Sequence, residues 1–309
     1  MDTDFTLTNT VNTAKVDGDR LFISTGTLNV NEGKTFTIIS TNRNWATASG
    51  MLELGNANIR GTLHLKVNAG CFSIDNGKTT TLYGTGILDG ATDISSYENI
   101  LRFVGTFNVE SDAAKASVRF KVYDSRSNSG NNPVANLNAA FAMASSATTW
   151  NSKIILRNNN AGGKLTFNLG ASQQFGSLEY MTNTLSSTNF TVDFTGTNAV
   201  IILSKILMND TTTAYLTLKN FQNDRFFIQD ITGLTLTDDI INDKLQIVAT
   251  DRSSETVSDL SFVAGTTLDA TGATISGYWL NAPIPEPAEW AAIFGALALG
   301  FAFFRKRSK

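Results

Sequence analysis

The sequence predicts an all-β fold, an elongated parallel β-solenoid, followed by one C-terminal transmembrane helix. Two observations predict the solenoid. Short segments that begin with Gly-Thr alternate apolar and polar residues, and alternation at period two is typical of half-buried strands. The polar surface is mostly uncharged, because 40 Thr, 30 Asn and 25 Ser stand beside only 17% charged residues in 309 positions. Stacked strands bury an aliphatic interior along the axis, and outward Thr and Asn can form ladders between turns.

Residues 1–110 carry imperfect repeats that predict solenoid rungs. The Gly-Thr segments lie at residues 26–30, 61–65 and 105–109. A second repeated unit contains Gly33-Lys34-Thr35 and, later, Gly77-Lys78-Thr79. Glycine supplies the turns between the short strands.

Residues 111–150 are predicted to be an irregular insertion or loop, because Ser and Asn cluster at 125–132, with one short helix within 133–147. Residues 151–282 form a second β region with fewer glycines. Its alternating segments predict strands at 164–169, 177–181, 190–194, 200–207, 215–221, 225–228, 245–248 and 260–263. A β-sandwich or jelly roll is the alternative for this region, because its turns are irregularly spaced.

Residues 283–309 differ from the rest of the chain. Three of the four prolines lie here, an uncharged apolar run extends from Trp290 to Phe304, and a basic cluster follows: Arg305, Lys306 and Arg307. Fifteen residues of helix span roughly 22 Å, against a hydrocarbon core of about 30 Å. An aromatic residue at one boundary and basic residues at the other are interfacial anchors. We predict a transmembrane helix at 288–304 with its basic end in the cytoplasm.

The order Pro285-Glu286-Pro287, short apolar helix and terminal basic cluster resembles the PEP-CTERM sorting signal. The resemblance covers about the last 27 residues and implies an exported bacterial protein that an exosortase recognises and processes. It makes Pro285, Glu286 and Pro287 the sorting motif, 290–304 the membrane segment and 305–307 the cytoplasmic stop. The alternative is a Pro-rich hinge before an ordinary tail anchor.

The first ten residues have no basic region, apolar core or small-residue cleavage site. An exported protein needs such a signal, so we expect a signal peptide upstream of Met1 that engages the Sec export machinery. The precursor would then lie in the inner membrane of a Gram-negative-type bacterium, with the mature body at the cell surface or in the extracellular matrix.

The body itself resembles autotransporter-like repeat regions of exported PEP-CTERM proteins, and residues 167–178 have the form of one such rung pair. Outside residues 283–309 the net charge is −5, which excludes general nucleic-acid binding. Cys71 is the only cysteine, so no intrachain disulfide forms, and no metal-ligand set is present.

The sequence assigns no catalytic residues and no cofactor. Residues 83–90 resemble the G-x-G-x-x-D-G turn of polygalacturonase-like β-helices, but the Gly-His-Gly of those enzymes is missing. We therefore interpret Asp89 as a turn residue that bonds local backbone. His64, the only histidine, is interpreted as an outward residue with no acidic neighbour. Asp238 and Asp239 are adjacent, which on a strand would point them to opposite faces, so a turn is favoured.

The expected function is a non-enzymatic structural protein of the cell surface or extracellular matrix. A first alternative is an adhesin or polysaccharide-binding module, in which Thr and Asn rows and the aromatic residues Tyr97, Trp150 or Tyr278 contact sugars. A second alternative is a β-helix carbohydrate-active enzyme. The expected partners are an exosortase and, for the first alternative, extracellular polysaccharide.

Overall fold

A computed structural model describes residues 5–9, 21–40, 51–67, 71–90, 100–112, 116–127, 132–144, 152–158, 164–182, 188–208, 214–237, 239–242 and 244–283. This part of the chain is built from strands, with one turn of 3-10 helix at Ala142–Ala144. The strands are β1 (Phe5–Asn9), β2 (Leu21–Val30), β3 (Thr35–Ser40), β4 (Met51–Ile59), β5 (Thr62–Val67), β6 (Cys71–Ile74), β7 (Thr79–Leu82), β8 (Ile87–Gly90), β9 (Ile100–Phe103), β10 (Thr106–Val109), β11 (Ser117–Arg119), β12 (Val122–Ser127), β13 (Val134–Leu137), β14 (Lys153–Asn158), β15 (Lys164–Leu169), β16 (Gln173–Thr182), β17 (Thr188–Asp193), β18 (Ile201–Met208), β19 (Ala214–Lys219), β20 (Phe226–Ile228), β21 (Leu236–Thr237), β22 (Ile240–Ile241), β23 (Leu245–Thr250), β24 (Thr256–Val257), β25 (Ser261–Leu268) and β26 (Thr274–Asn281).

These strands pair in parallel and form three stacked sheets, which we name stacks A, B and C. Stack A contains β1, β3, β5, β8 and β11, and it continues through the 3-10 turn into the first parts of β16 and β18 and into β20. Stack B contains the first parts of β2 and β4, then β6, β9, β12 and β14, and the later parts of β16 and β18. Stack C contains the later parts of β2 and β4, then β7, β10, β13, β15, β17, β19 and β23. The chain visits the three stacks in turn and advances one rung per circuit, which confirms the predicted parallel β-solenoid.

Parallel stacking also runs through regions where the sequence suggested something else. Within 111–150, expected to be irregular, β11, β12 and β13 continue all three stacks. The short helix expected within 133–147 is instead a strand followed by the 3-10 turn. From β14 to β20 the rungs remain parallel, so this part of the chain is a continued solenoid and not a sandwich.

A buried tyrosine and a buried glutamine hold the 3-10 turn in place on stack A. The Tyr123 hydroxyl lies 2.9 Å from the Met143 carbonyl oxygen and 3.1 Å from that of Val118. Burial raises the pKa of this hydroxyl far above its ordinary value, so it stays a donor. The amide of Gln173 donates to the Ala139 carbonyl at 2.7 Å and accepts from the Met143 N–H at 3.3 Å. At this rung a 3-10 turn takes the place of a strand in stack A. The contacts with Tyr123 and Gln173 give its backbone groups the hydrogen-bond partners that a strand would have found in its neighbours.

The interior is one continuous hydrophobic core along the axis, formed by the inward side chains of the three stacks. Phe167 lies in the middle of it, fully buried. Its ring centroid is 6.0 Å from that of Phe103, 5.7 Å from Phe175 and 5.1 Å from Phe190, with the first and last pairs edge to face. Direct ring contacts therefore join Phe167 to strands of other rungs.

The repeated Gly-Lys-Thr units form the same turn at two different corners. Gly33 and Gly77 adopt φ of 69° and 68°. The first turn leads from stack C to stack A and the second from stack B to stack C. On the next rung, the Gly-Thr glycines Gly61 and Gly105 lie directly against these turns, where a Cβ would clash with backbone carbonyl oxygens. The sequence repeat thus specifies a turn and the glycine that packs against it on the next rung. It does not specify at which of the three corners the turn lies.

The solenoid ends by a change from parallel to antiparallel pairing. The short strands β22 and β24 pair with β23 at the end of stack C, and β26 pairs with β20 at the end of stack A. The hairpin of β25 and β26 also covers the outer side of stack A. There Trp279 packs edge to face on Phe227 with ring centroids 4.8 Å apart, and the Ala270 N–H donates to Gln174 Oε1 at 3.0 Å. Ile202 and Phe227 point outward yet are buried for this reason.

Candidate functional site

The sorting signal predicted from the sequence lies outside the described residues. This applies to Pro285, Glu286, Pro287, Trp290, Phe304, Arg305, Lys306 and Arg307. Within the residues that the structure describes, no helix has the length and apolar character needed to cross a membrane.

In the described body, the most regular surface is the outer face of stack C. Its outward side chains form two parallel rows because the strand register repeats from rung to rung. The first row is mostly threonine and consists of Thr27, Asn56, Thr79, Thr106, Val134, Thr166, Thr191 and Thr217. The second row is mostly asparagine and consists of Asn29, Asn58, Thr81, Asn108, Asn136, Asn168, Asp193 and Lys219.

The asparagine row is joined by side-chain hydrogen bonds between consecutive rungs. The amide of Asn136 donates to Asn108 Oδ1 at 2.7 Å, and the amide of Asn168 donates to Asn136 Oδ1 at 2.7 Å. Asn58 donates to Asn29 Oδ1 at 2.9 Å in the same way. The predicted ladders of Asn side chains are therefore confirmed. Asn108 and Asn136 each donate to one neighbour and accept from the other along the axis, which fixes the orientation of their amides.

Charge is absent from the described N-terminal part of this face. From β2 to β13 both rows contain only Thr, Asn and Val, and charged residues appear only from β15 onward, with Lys164, Asp193 and Lys219. Asp193 accepts a hydrogen bond from the Asn220 amide at 2.5 Å. The face therefore offers hydroxyl and amide groups, which both donate and accept, without a dominant charge.

Among the described residues, one aromatic side chain lies on the outer face of stack C. Tyr215 is half-buried on β19, in register with Asn189 on one side and Gln246 on the other. The backbone beneath it is fixed from the interior, since the Tyr180 hydroxyl donates to the Tyr215 carbonyl at 3.1 Å. Burial raises the pKa of Tyr180 far above its ordinary value. Beside the ring, the Thr217 hydroxyl donates to Asn189 Oδ1 at 3.0 Å.

Changing Asn136 to Asp tests whether the ladder stabilises the fold. The carboxylate can still accept from Asn168 but cannot donate to Asn108, and its charge faces the Asn108 oxygen. We expect a loss of about 1–3 kcal/mol in the free energy of unfolding at pH 7, measured by urea denaturation of the full-length protein. The new carboxylate at position 136 would face the Asn108 oxygen without a proton between them, and this raises its pKa. The loss of stability should therefore be smaller in acid, where the protonated carboxyl can donate to Asn108.

The matched control for this prediction is Asn56→Asp. Asn56 is exposed, and its Oδ1 accepts from the Thr79 N–H at 3.1 Å, which a carboxylate also does. We expect a change within about 0.5 kcal/mol. Equal effects of the two substitutions would contradict a stabilising role for the ladder.

The outer side of stack A corrects two interpretations of the sequence. His64 does have an acidic neighbour, because its Nδ1 lies 2.9 Å from Asp89 Oδ2. Asp89 belongs to β8 and not to a turn, and Arg119 Nη1 lies 3.9 Å from the same oxygen. The three residues occupy one register position on consecutive rungs. Their proximity was missed because residues 25 or more apart in sequence become neighbours only through the rung period.

The outer side of stack B carries charges that are largely buried. Arg102 and Asp124 are in register and are 9% and 0% exposed. Further along, Glu179 accepts from Ser177 Oγ at 3.0 Å and lies 3.9 Å from Lys153 Nζ. Beside them Ile100, Val122 and Ile155 form a second apolar cluster. Since a carboxylate that cleaves a glycosidic bond must reach its substrate, we interpret these buried groups as structural.

Of the remaining candidates from the sequence, the structure describes Tyr278 and Asp239. Tyr97, Trp150 and Asp238 lie outside the described residues. Tyr278 is on β26, where it packs against the core. Asp239, with φ of 60°, lies in the turn between β21 and β22, and its Oδ1 accepts from the Leu260 N–H at 3.0 Å. The turn interpretation is therefore confirmed for Asp239.

Comparison of the chain with protein-family models, curated proteins and solved structures gives no match. The interpretation of the outer face of stack C therefore depends on its own geometry. The alternation in residues 215–221 is the signal that places Tyr215 on an outward position. Only the register between rungs shows that Asn189 and Gln246 flank it.

Proposed function

We propose that the protein is an exported structural component of a bacterial cell surface or extracellular matrix. An exosortase sorts and processes it through Pro285-Glu286-Pro287, and the apolar segment up to Phe304 holds the precursor in the inner membrane. The basic residues Arg305, Lys306 and Arg307 remain in the cytoplasm. The tripartite order of the tail supports the sorting step. The observation that supports the structural role is the solenoid with its asparagine ladder, which lies before the tail in the chain.

The laddered solenoid suits a structural role because its stability is distributed along its length. Each rung adds backbone hydrogen bonds, one layer of core and one step of the ladder, so no single ligand or cofactor is needed. The scarcity of charge on the outer face of stack C reduces the dependence of that surface on salt. We assign the body no catalytic role.

Replacing Pro285, Glu286 and Pro287 together with alanine tests the sorting step. The variant should accumulate in the membrane as unprocessed precursor in the native host, because the recognition element is gone. Immunoblotting of membrane and surface fractions measures both forms. Pro283→Ala, two residues upstream, is the matched control and should be processed normally. Normal processing of the triple variant would refute the sorting assignment.

Polysaccharide binding by the body is a second candidate function. The two outward rows on stack C favour it, because hydroxyl and amide groups in a fixed repeat match a polymer of hydroxyl groups. This function is compatible with the structural role, since a matrix protein that binds polysaccharide also cross-links it.

A further inference from the structure

We propose that the outer face of stack C binds a neutral, linear polysaccharide lying along the solenoid axis, with Tyr215 stacking on one of its sugar rings. The inference rests on the second candidate function, polysaccharide binding, and names its site and ligand class. It is independent of the sorting signal.

The first argument is the repeat of the face. Neighbouring strands lie about 4.8 Å apart, so each row presents a polar group at that spacing on every rung from β2 to β19 except that of Val134 in the first row. A linear polymer aligned with the axis would meet similar groups on successive rungs, and its contacts would add along the length. A small or branched ligand could use only one or two of them.

The second argument is preorganisation. The Asn136 amide is held by Asn108 and Asn168 at 2.7 Å on both sides. Thr217 and Asn189 are joined at 3.0 Å. Side chains that are already ordered lose little conformational entropy when a ligand arrives. Weak contacts on each rung can therefore sum to useful affinity.

The third argument is charge. The two rows are uncharged from β2 to β13, while the chain outside residues 283–309 carries a net charge of −5. Long-range repulsion from the acidic body disfavours uronate or sulfate polymers. Among the described residues of this face, Lys164 and Lys219 occupy different register positions and do not form a cationic row. A neutral polymer of hydroxyl groups is the ligand that this surface fits.

The fourth argument locates the strongest contact. Tyr215 is the aromatic side chain of this face, with Asn189 and Gln246 one rung away on either side. An aromatic ring packs against the apolar C–H face of a sugar, while amides on both sides bond its hydroxyl groups. The Tyr215 neighbourhood, near the C-terminal end of the face, is thus the subsite that we expect to bind most strongly.

Binding of the full-length protein is measured by depletion on insoluble cellulose and by affinity electrophoresis in xylan and glucomannan, with alginate and polygalacturonate as acidic probes. We expect binding to at least one neutral polymer and weaker or no binding to the acidic ones. Tyr215→Ala should weaken binding about 3- to 10-fold, the range expected for loss of one stacked ring. Tyr215→Phe should retain it.

Two further variants make the test decisive. Tyr83→Ala is the matched control, because Tyr83 is a half-buried tyrosine at the corner that leads to stack A, where its ring packs against Arg60 at 4.4 Å. It should bind as the original protein does. Thr166→Lys puts a long charged side chain in the threonine row, two rungs from Tyr215. It should weaken binding even if Tyr215→Ala fails to fold, which circular dichroism would detect.

The outcomes separate the site from the function. Binding that survives both Tyr215→Ala and Thr166→Lys would overturn the site and leave polysaccharide binding standing. Binding to the acidic polymers alone would overturn the ligand class. No binding to any polymer would overturn both. Self-association that Thr166→Lys abolishes, seen by light scattering without polysaccharide binding, would assign the face to a second copy of the chain.

Discussion

Phe167→Ala should lower the free energy of unfolding by about 3–5 kcal/mol, the cost of emptying a fully buried aromatic site. Phe167 contacts aromatic rings on three other strands, so its removal opens a cavity and separates neighbouring rungs. Because stability in a solenoid depends on contacts between adjacent rungs, the unfolding transition should also broaden or split. Urea denaturation of the full-length protein, followed by far-ultraviolet circular dichroism, measures both effects.

Phe262→Ala is the matched control for this substitution. Phe262 is only partly buried, on β25 near the end of the solenoid, and it packs on the edge of the core. Its loss should cost clearly less and leave the transition as cooperative as before. A loss of less than about 1 kcal/mol for Phe167→Ala would mean that the axial core is not the main source of stability.

Gly105→Ala should destabilise the protein by roughly 3 kcal/mol or more, at or beyond the upper end of the usual range for overpacking. A Cβ at this position would clash with the carbonyl oxygens of Asp75 and Lys78 in the turn one rung below. These are backbone atoms, so the clash cannot be relieved by a side-chain rotation. The Gly105 N–H also donates to the Ile74 carbonyl at 2.9 Å, and displacement of the corner would break this bond.

Gly77→Ala serves as the comparison, since it lies in the same turn but has open space around it. Its requirement for glycine comes from φ of 68°, with no atom within 4 Å of an added Cβ. Alanine in this conformation costs about 1–2 kcal/mol. Melting temperatures of the two variants give the test, and an equal or smaller loss for Gly105→Ala would rule out close stacking of the corners.

The fold could be predicted from local alternation because the strand period is visible in a single segment. The strand expected at 164–169 is β15, residue for residue. Local patterns do not determine the register between rungs, because that register depends on the number of residues in each turn of the solenoid. For this reason the Gly-Thr segments at 61–65 and 105–109 look alike yet lie on stacks A and C. The 3-10 turn was missed because its cause, the buried Gln173, lies some thirty residues away.

The candidate site was predictable to a similar extent. Outward Thr and Asn rows followed from composition and alternation, and their hydrogen-bonded ladder confirms them. The pairing of His64 with Asp89 and the position of Tyr215 between two amides needed the three-dimensional register. The sorting motif is a purely linear signal, so its assignment to Pro285, Glu286 and Pro287 remains a prediction from sequence.

The antiparallel strands that close the solenoid have a consequence for the timing of folding. Synthesis delivers a chain from its N-terminus, so each newly completed rung exposes a row of unpaired backbone groups at its growing edge. That edge is closed only when β22, β24 and β26 arrive, and these lie between Ile240 and Asn281. A chain that stalls or is cut before this point keeps an open template for pairing with other chains. The last forty residues of the body thus decide whether the emerging rungs end as one finite molecule or as an aggregate.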